Sequence, residues 1–154
     1  MTFTVSIPRL ADLRLEYLLV DVNGTVTSRG ALRDGVAVRF ARLRTPLDIR
    51  LVSADTFGTL DTIAARLDVS AVRASTGEDK LRLLDELGRE RCAVIGNGSN
   101  DALVLEAAAL GVAVIGPEGA SAAALRSADV VCGSVTDALD LLLDPKALSA
   151  TLRP

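Results

Sequence analysis

The chain has 154 residues, of which 49 % are hydrophobic, so it is long enough for one domain with a substantial core. Its net charge of −3, its dispersed arginines and its few aromatic residues argue against nucleic-acid binding. The absence of histidine excludes serine-histidine triads, cysteine-histidine pairs and histidine-ligated metals. Any catalysis must therefore use carboxylates, lysine, hydroxyls and a hard cation.

The longest uncharged stretch, 107–117, is much shorter than the roughly 18 residues that suggest a membrane span. The first residues show no basic segment followed by an apolar one, so no secretory signal is visible. We therefore expect a cytoplasmic protein. Cys92 and Cys132 lie beside short valine-rich runs, where a buried thiol is the ordinary explanation.

Apolar runs of strand length recur along the chain and alternate with segments of helical period. Residues 2–7 are predicted to form an additional strand, antiparallel and at an edge. The other predicted strands cover residues 16–21, 47–52, 69–73, 92–95, 112–115 and 130–132. Helices are predicted around Val36, Phe40 and Leu43, over 58–67 and over 78–87.

This alternation predicts a single three-layer α/β domain over residues 1–154, with a mostly parallel central sheet. In such sheets ligands bind beyond the carboxyl ends of the strands, where the strand order switches. Asp21, Ser53 and the turn 96–98 each follow a predicted strand directly. We therefore expect them to meet in one crevice.

The segment Asp-Val-Asn-Gly-Thr at 21–25 is the first candidate for chemistry. A carboxylate at the end of a buried strand, followed by glycine in a turn, is a candidate nucleophile in a phosphate pocket. Taken alone, Asp21 is better explained as a strand-end or turn carboxylate. Ser53 alone favours a cap or turn residue, and Lys80 alone favours a solvated lysine near a helix start.

The segment Gly-Asn-Gly-Ser-Asn-Asp at 96–101 is the second candidate. Alone it is also explained as a strand-to-helix turn with Ser99 or Asn100 as N-cap. Asp55 and Thr56 similarly suit the cap of the helix near residue 58. The glycine-rich turn 116–119 is predicted to join a strand to the next helix, and no third glycine supports dinucleotide binding at 96–98.

Four elements of the sequence resemble, in their order, the four motifs of the haloacid dehalogenase (HAD) superfamily. They are Asp21 with Asn23, then Ser53, then Lys80, then the segment 96–101. The first and last motifs look most like the phosphorylation domain of P-type ATPases and their small soluble relatives. The resemblance extends from about residue 16 to about residue 143. It implies a Rossmann-like HAD core and a phosphohydrolase that forms an aspartyl phosphate.

The resemblance also implies a Mg²⁺ site of hard oxygen ligands. Asp21 would be nucleophile and ligand, and the backbone carbonyl of Asn23 would be the second ligand. Asp101 would supply an acidic ligand across the crevice, with Asn97 in the same metal neighbourhood.

The remaining motif residues would bind the phosphoryl group. Ser53 would donate its hydroxyl, and Lys80 would act as a point charge. Gly24 and Gly98 would let the backbone approach the phosphate closely. Thr25 is expected to be a turn residue or a minor phosphate contact.

Two carboxamides depart from the family pattern. Typical HAD phosphatases carry Asp at the position of Asn23, where it protonates the leaving group and then activates water. Asn cannot move that proton near neutral pH, and general acid-base help is typically worth about 10² to 10⁴ in rate. P-type ATPases use Thr there and keep a durable aspartyl phosphate. Asn97 replaces the first Asp of the fourth motif, which predicts weaker Mg²⁺ affinity.

Only short segments separate the motifs, so no large cap domain is expected and the site should be open. An open crevice suits a macromolecular phosphate, or a phosphorylated small molecule enclosed by a neighbouring subunit. Homo-oligomerisation is therefore expected.

The leading hypothesis is a capless, Mg²⁺-dependent HAD phosphohydrolase with low activity. The alternative is a non-catalytic regulatory module that binds phosphate or a phosphorylated ligand. The retained Asp21, Lys80 and Asp101 favour the enzyme. A transporter fragment acting alone is disfavoured, because membrane spans and a nucleotide-binding insertion are both missing from the sequence.

Overall fold

The computed structural model describes residues 3–55 and 58–154. Its strands are β1 (Phe3–Val5), β2 (Leu13–Leu15), β3 (Tyr17–Asp21), β4 (Thr27–Ser28), β5 (Ala31–Leu32), β6 (Asp48–Ser53), β7 (Ser70–Arg73), β8 (Cys92–Gly96), β9 (Leu110–Val114) and β10 (Val130–Cys132). Its helices are α1 (Val36–Leu43), α2 (Thr59–Leu67), α3 (Gly77–Leu87), α4 (Ala102–Ala107), α5 (Ala122–Ser127), α6 (Val135–Leu142) and α7 (Pro145–Leu152). Short 3₁₀ turns occupy Arg89–Arg91 and Ser99–Asp101.

Six strands form the central sheet in the order β10-β9-β8-β3-β6-β7, and every adjacent pair is parallel. Strand β3 lies in the middle, where Val20 pairs with Ile95 on one side and Asp21 pairs with Val52 on the other. The chain builds the sheet outward in both directions from β3, so the strand order switches there. A crevice at the carboxyl end of β3 is the expected ligand position in this topology.

The mostly parallel α/β fold and all six sheet strands are confirmed, with strand ends shifted by at most two residues. The three predicted helices are also found. Parallel strands are buried on both faces and therefore appear in the sequence as continuous apolar runs. This explains why the sequence predicts them well.

The prediction for residues 2–7 is wrong in its placement. Residues Phe3–Val5 form an antiparallel pair with Leu13–Leu15, in a separate two-stranded sheet, and Thr2 lies outside the described residues. The edges of the main sheet belong instead to β7 and β10. Val5 is buried beside α7, and the Ser149 hydroxyl donates to the Ser6 carbonyl at 2.7 Å.

A small hairpin of β4 and β5, which the sequence did not predict, follows the Asp21 segment directly. Its turn residues Arg29 and Gly30 both have positive φ, as a tight hairpin requires. The Arg29 amide donates to Glu118 Oε2 at 3.0 Å. This contact places the hairpin against the turn 116–119.

The apolar side chains form a core on each face of the sheet. Helices α1, α2, α6 and α7 cover one face, and α3, α4 and α5 cover the other. The result is three layers, with no large cap domain among the described residues. Within 3–55 and 58–154, no helix has the length and apolar character that crossing a membrane requires.

Candidate active site

Four polar elements meet at the carboxyl edge of the sheet. Asp21 ends β3, Ser53 ends the neighbouring β6, and the turn 96–101 follows β8 on the other side. Helix α3 contributes the fourth element, Lys80, from its first turns. The convergence expected from the sequence is therefore present in the structure.

Lys80 is held by the start of α3 and is buried, with only 3 % of its surface exposed. The helix begins with a capping box, in which Thr76 Oγ1 accepts from the Asp79 amide and the Asp79 carboxylate accepts from the Thr76 amide. The Lys80 ammonium donates to Asp21 Oδ1 at 3.2 Å and to Asp101 Oδ1 at 2.6 Å. Lys80 is thus not the solvated lysine that its position alone would favour.

Asp101 is fixed from both sides. Its Oδ1 receives Lys80, and its Oδ2 accepts from the backbone amides of Asn97 at 3.1 Å and Gly98 at 3.0 Å. A Cβ at residue 96 would lie 2.6 Å from the Asp101 carboxyl carbon, so only glycine fits there. The geometry therefore favours Asp101 as the residue that positions Lys80, while metal ligation by Asp101 stays a prediction.

The Gly98 amide is already used by Asp101. The close backbone approach predicted for Gly98 therefore serves the carboxylate in this structure, and phosphate contact there stays a prediction. Gly24 has the stronger constraint, because its φ is +76° and a Cβ would lie 2.5 Å from Asn97 Nδ2. Glycine is required at this point for the Asn97 side chain to pack on the loop.

Burial is the main cause that raises the pKa of Asp21 to about 7, and the nearby Asp101 charge raises it further, while Lys80 opposes both. Burial alone would lower the pKa of Lys80, but the two carboxylates outweigh it and raise that pKa above its ordinary value. Lys80 therefore remains an ammonium at neutral pH. The three groups carry a net negative charge once Asp21 ionises.

Asn97 and Thr25 form the opposite wall beside Asp21. The Asn97 amide nitrogen donates to the Gly119 carbonyl at 3.1 Å, which leaves its oxygen facing Thr25 Oγ1 at 3.3 Å. The same hydroxyl lies 3.4 Å from Asp21 Oδ2. Thr25 is completely buried, which suits a residue that orders the turn.

Asn23 and Ser53 complete the predicted set. Asn23 is exposed, and its backbone bridges to Thr27. Ser53 is buried, and its Oγ accepts from the Asp55 amide at 3.2 Å, which leaves the hydroxyl hydrogen for another acceptor. Both side chains lie on segments that leave the carboxyl edge of the sheet.

Asp55 is used at the start of α2. Its carboxylate accepts from Thr59 Oγ1 at 3.2 Å and from the Leu60 amide at 2.9 Å. The predicted capping by Asp55 is confirmed, whereas Thr56 lies outside the described residues. This carboxylate is therefore engaged by the start of the helix.

The side-chain oxygens beside Asp21 are of the hard type that Mg²⁺ prefers. Among the described residues, no group of three or more carboxylate or thiol side chains could hold a metal. Asp21 Oδ2 and the Asn97 amide oxygen lie 3.4 Å and 3.3 Å from Thr25 Oγ1, whereas ligation by the Asn23 carbonyl stays a prediction. A site with this little negative charge binds divalent cations less tightly than one with several carboxylates.

The turn 116–119 is a further wall of the site that the sequence did not indicate. As predicted, it joins a strand to a helix, here β9 to α5. The Gly119 carbonyl holds the Asn97 side chain, and the Ser121 amide donates to the Asn97 carbonyl at 2.8 Å. Its position after β9, next to β8 in the sheet, is the signal that would have placed it here.

Comparison with known proteins gives relatives of two kinds, although no protein-family model matches the chain. The chain is 47 % identical over 78 residues to an uncharacterized protein of Methanocaldococcus jannaschii, a match that covers 48 % of this chain and 84 % of the archaeal protein. It is 36 % identical over 110 residues to proteins named cation-transporting ATPase G in Mycobacterium bovis and Mycobacterium tuberculosis. That match covers 70 % of this chain but only 14 % of the ATPases.

Solved structures show the same fold. One is a Streptomyces avermitilis protein assigned to the HAD family of hydrolases, with a TM-score of 0.70, 18 % identity and coverage of 90 % of this chain and 87 % of that one. Another is 3-deoxy-D-manno-octulosonate 8-phosphate phosphatase from Moraxella catarrhalis, solved with magnesium and phosphate, with a TM-score of 0.66, 18 % identity and coverage of 90 % and 94 %. A zinc-transporting P-type ATPase matches with a TM-score of 0.65 and 27 % identity, over 79 % of this chain and 20 % of the ATPase.

The raised pKa of Asp21 predicts that this residue destabilises the metal-free fold as pH rises. Its unfolded pKa is near 3.8 and its folded pKa is about 7, so the folded state binds the extra proton between these values. We would measure the unfolding free energy by chemical denaturation in the presence of EDTA. The value for Asp21→Asn should equal that of the wild type near pH 4. At pH 8 it should be higher than that of the wild type by a few kcal/mol, on the order expected for such a pKa shift.

Asp101→Asn is the matched control for this pair. It should lower the unfolding free energy at both pH values, because an amide cannot accept from Lys80 and from two backbone amides together. An Asp21→Asn variant less stable than the wild type at pH 8 would contradict the assigned electrostatics.

Proposed function

We propose that this chain, which belongs to the HAD superfamily and to one family with the uncharacterized M. jannaschii protein, is a phosphohydrolase that acts through Asp21. The observation that carries the proposal is a carboxylate at the switch point of a parallel sheet, 3.2 Å from a buried ammonium group. The phosphatase among its structural neighbours supports the reaction class. The mycobacterial ATPases match only through a small part of their length, and their transport activity is not transferred to this chain.

The Asp21 carboxylate attacks the phosphorus of a phosphomonoester, and the bond from phosphorus to the leaving oxygen breaks with its electron pair on that oxygen. A phosphoryl group is then bonded to Asp21 as an acyl phosphate. Water attacks this phosphorus in a second step, which releases phosphate and a proton and restores the carboxylate. Both steps require the enzyme to stabilise the negative charge on the equatorial phosphoryl oxygens.

Lys80, Ser53 and Gly24 are proposed to hold the phosphoryl group. The Lys80 ammonium already contacts Asp21, so it would meet any group bonded there. Ser53 would donate its remaining hydroxyl hydrogen, and Gly24 would allow the loop to approach closely. Asp101 would keep Lys80 oriented throughout, because it accepts from the Lys80 ammonium at 2.6 Å.

We propose Mg²⁺ as the cofactor, bound by Asp21, the Asn23 carbonyl and the Asn97 amide oxygen. When bound, this cation would neutralise phosphoryl charge and keep the nucleophile ionised. The magnesium-bound phosphatase among the structural neighbours supports dependence on a divalent cation. Asp101 is proposed mainly to position Lys80, since its Oδ1 accepts from Lys80 and its Oδ2 accepts from two backbone amides; its ligation of the cation, implied by the family resemblance, stays a prediction.

Asn23 is proposed to make the turnover slow. Without an acid at this position the leaving oxygen must depart unprotonated, which restricts efficient substrates to those with good leaving groups. Without a base there, the water that attacks the aspartyl phosphate is not activated. The second effect favours a long-lived phosphoenzyme, whereas the first slows its formation from substrates with poor leaving groups.

A second function is a regulatory module that binds a phosphorylated ligand without catalysing a reaction. The observation that favours it is the presence of two carboxamides in the motifs. Asn23 and Asn97 keep the shape and hydrogen-bonding capacity of carboxylates while losing their charge. In this function Lys80 and Ser53 would bind the ligand phosphate, and Asp21 would never be modified.

We propose that the chain acts as a single domain on a phosphorylated small molecule or on a macromolecular phosphate. Among the described residues, the carboxyl edge of the sheet carries the small hairpin and the turn 116–119 but no large cap, so a second copy of the chain would be needed to enclose a small substrate. Homo-oligomerisation is therefore part of the proposal, and nucleic acid is not an expected partner.

Incubation with p-nitrophenyl phosphate and MgCl₂ should give turnover, or a covalent phosphoryl adduct on Asp21 that mass spectrometry detects. Asp21→Asn should abolish both signals. Asp61→Asn, an exposed change on α2, should leave both unchanged. Saturable phosphate binding without turnover or adduct would instead support the regulatory module.

Asn23→Asp should raise the rate of hydrolysis, because it restores a proton shuttle typically worth about 10² to 10⁴ in rate. The gain should be largest for alkyl phosphates, whose leaving groups most need a proton. Steady-state kinetics on aryl and alkyl phosphates would measure it. Asn97→Asp is the control, since it should tighten Mg²⁺ binding without changing the dependence on the leaving group; an equal gain for all substrates would contradict the assigned role of Asn23.

A further inference from the structure

Arg33 lies between the hairpin and α1, and its backbone is held in place. Its amide donates to the Val26 carbonyl at 2.9 Å, and its carbonyl accepts from the Val36 amide at 3.4 Å. Both partners are completely buried. The start of the Arg33 side chain is therefore fixed relative to the segment that carries Asp21.

The Arg33 guanidinium lies where two turns of the site meet. A Cβ placed on Gly116 would be 3.3 Å from Arg33 Nη1 and equally 3.3 Å from the Gly24 carbonyl oxygen. Gly24 is three residues beyond Asp21, which limits the distance between their Cα atoms to about 11 Å. The guanidinium is thus a neighbour of the proposed phosphate loop.

Arg33 Nη1 is buried and has no hydrogen-bond partner. Within residues 3–55 and 58–154, the guanidinium as a whole makes no hydrogen bond or ion pair. Arg39, by contrast, is paired with Asp140 at 2.7 Å. Lys80 is likewise compensated by two carboxylates.

An unpaired guanidinium nitrogen that has lost its water gains strongly from an anionic acceptor. The group stays charged at all working pH values, and its planar fork matches the two oxygens of a carboxylate or of a phosphate. Arg33 as a whole is only partly buried, so part of its side chain is accessible to an anion from solvent.

We propose that Arg33 determines substrate specificity by binding a second anionic group, a carboxylate or a phosphate, of the phosphomonoester that Asp21 attacks. The inference rests on the proposed function and deepens it. The transferred phosphoryl group belongs beside Asp21 and Lys80, whereas Arg33 contacts Gly116 and the region of the Gly24 carbonyl. The substrate class is therefore a compact phosphomonoester with two separate anionic groups.

Binding of non-hydrolysable phosphonates tests this without requiring turnover. Isothermal titration calorimetry in MgCl₂ would compare benzylphosphonate with its 3- and 4-carboxy derivatives and with p-xylylene bisphosphonate. The wild type should bind at least one doubly anionic probe about 10-fold more tightly or better, as a new charge-assisted hydrogen bond implies. Tighter binding of a carboxy derivative would identify the second group as a carboxylate, and tighter binding of the bisphosphonate would identify it as a phosphate.

Arg33→Gln should reduce this preference to about 2-fold or less, on the same free-energy scale, while leaving the affinity for benzylphosphonate nearly unchanged. Arg33→Lys should retain part of the preference. Arg29→Gln, which removes one exposed charge from the same hairpin, should retain all of it. Thermal melting would confirm that each variant is folded.

Three results would overturn the proposal: no preference in the wild type, including failure of all probes to bind; an unchanged preference in Arg33→Gln; or an equal loss for all probes in that variant. The last would assign Arg33 to the transferred phosphoryl group. Because calorimetry does not need hydrolysis, a protein that binds as expected but forms no adduct on Asp21 would refute the proposed reaction alone.

Discussion

Lys80 lies buried between the carboxylates of Asp21 and Asp101, and this group of three charges connects β3, the turn after β8 and helix α3. Lys80 is the member on which both carboxylates depend, because it is the cation that faces each of them. Without Lys80, two carboxylates would remain buried beside each other, and breaking a buried ion pair in this way typically costs about 3 to 5 kcal/mol. Two other features of the site support this group. Gly96 leaves room for the Asp101 side chain, and the capping box fixes the start of α3, which carries Lys80.

In the proposed function, the same group prepares Asp21 as a nucleophile. Asp21 is desolvated, which raises its pKa and makes its carboxylate reactive, while Lys80 keeps a positive charge beside it. A phosphoryl group bonded there would meet an ammonium that is already oriented. Among the described residues, Asn23 carries an amide and the Asp55 carboxylate is engaged at the start of α2. In the proposed function, neither of them supplies the proton transfer that hydrolysis of the phosphoenzyme needs.

The sequence predicts the parts of the fold whose signals are local. Buried parallel strands appear as apolar runs, and the positions of Asp21 and Ser53 at strand ends follow from those runs. The short pairing of Phe3–Val5 with Leu13–Leu15 has no such signal, since three residues carry little periodicity. The burial of Lys80 was also not readable, because it depends on two carboxylates from distant segments.

The roles of Asp101 and Arg33 show a second limit. A motif indicates which residues share a site, but not which oxygen each donor occupies. Asp101 Oδ1 accepts from Lys80 and its Oδ2 accepts from two backbone amides, which is a positioning contact that the motif alone did not indicate. Arg33 belongs to no motif. Its unpaired guanidinium nitrogen is identified only from the structure, where it lies beside Gly116 in the turn 116–119.

The central claim is that Asp21 accepts a phosphoryl group while Asp101 holds Lys80 against it. A crystal structure with MgCl₂ and beryllium fluoride, a mimic of the aspartyl phosphate, tests both halves at once. We predict that the mimic binds the Asp21 carboxylate. Lys80 should then contact the fluorides of the mimic and, at the same time, Asp101. A mimic bound elsewhere, or an Asp101 that has left Lys80 to ligate the cation, would contradict it.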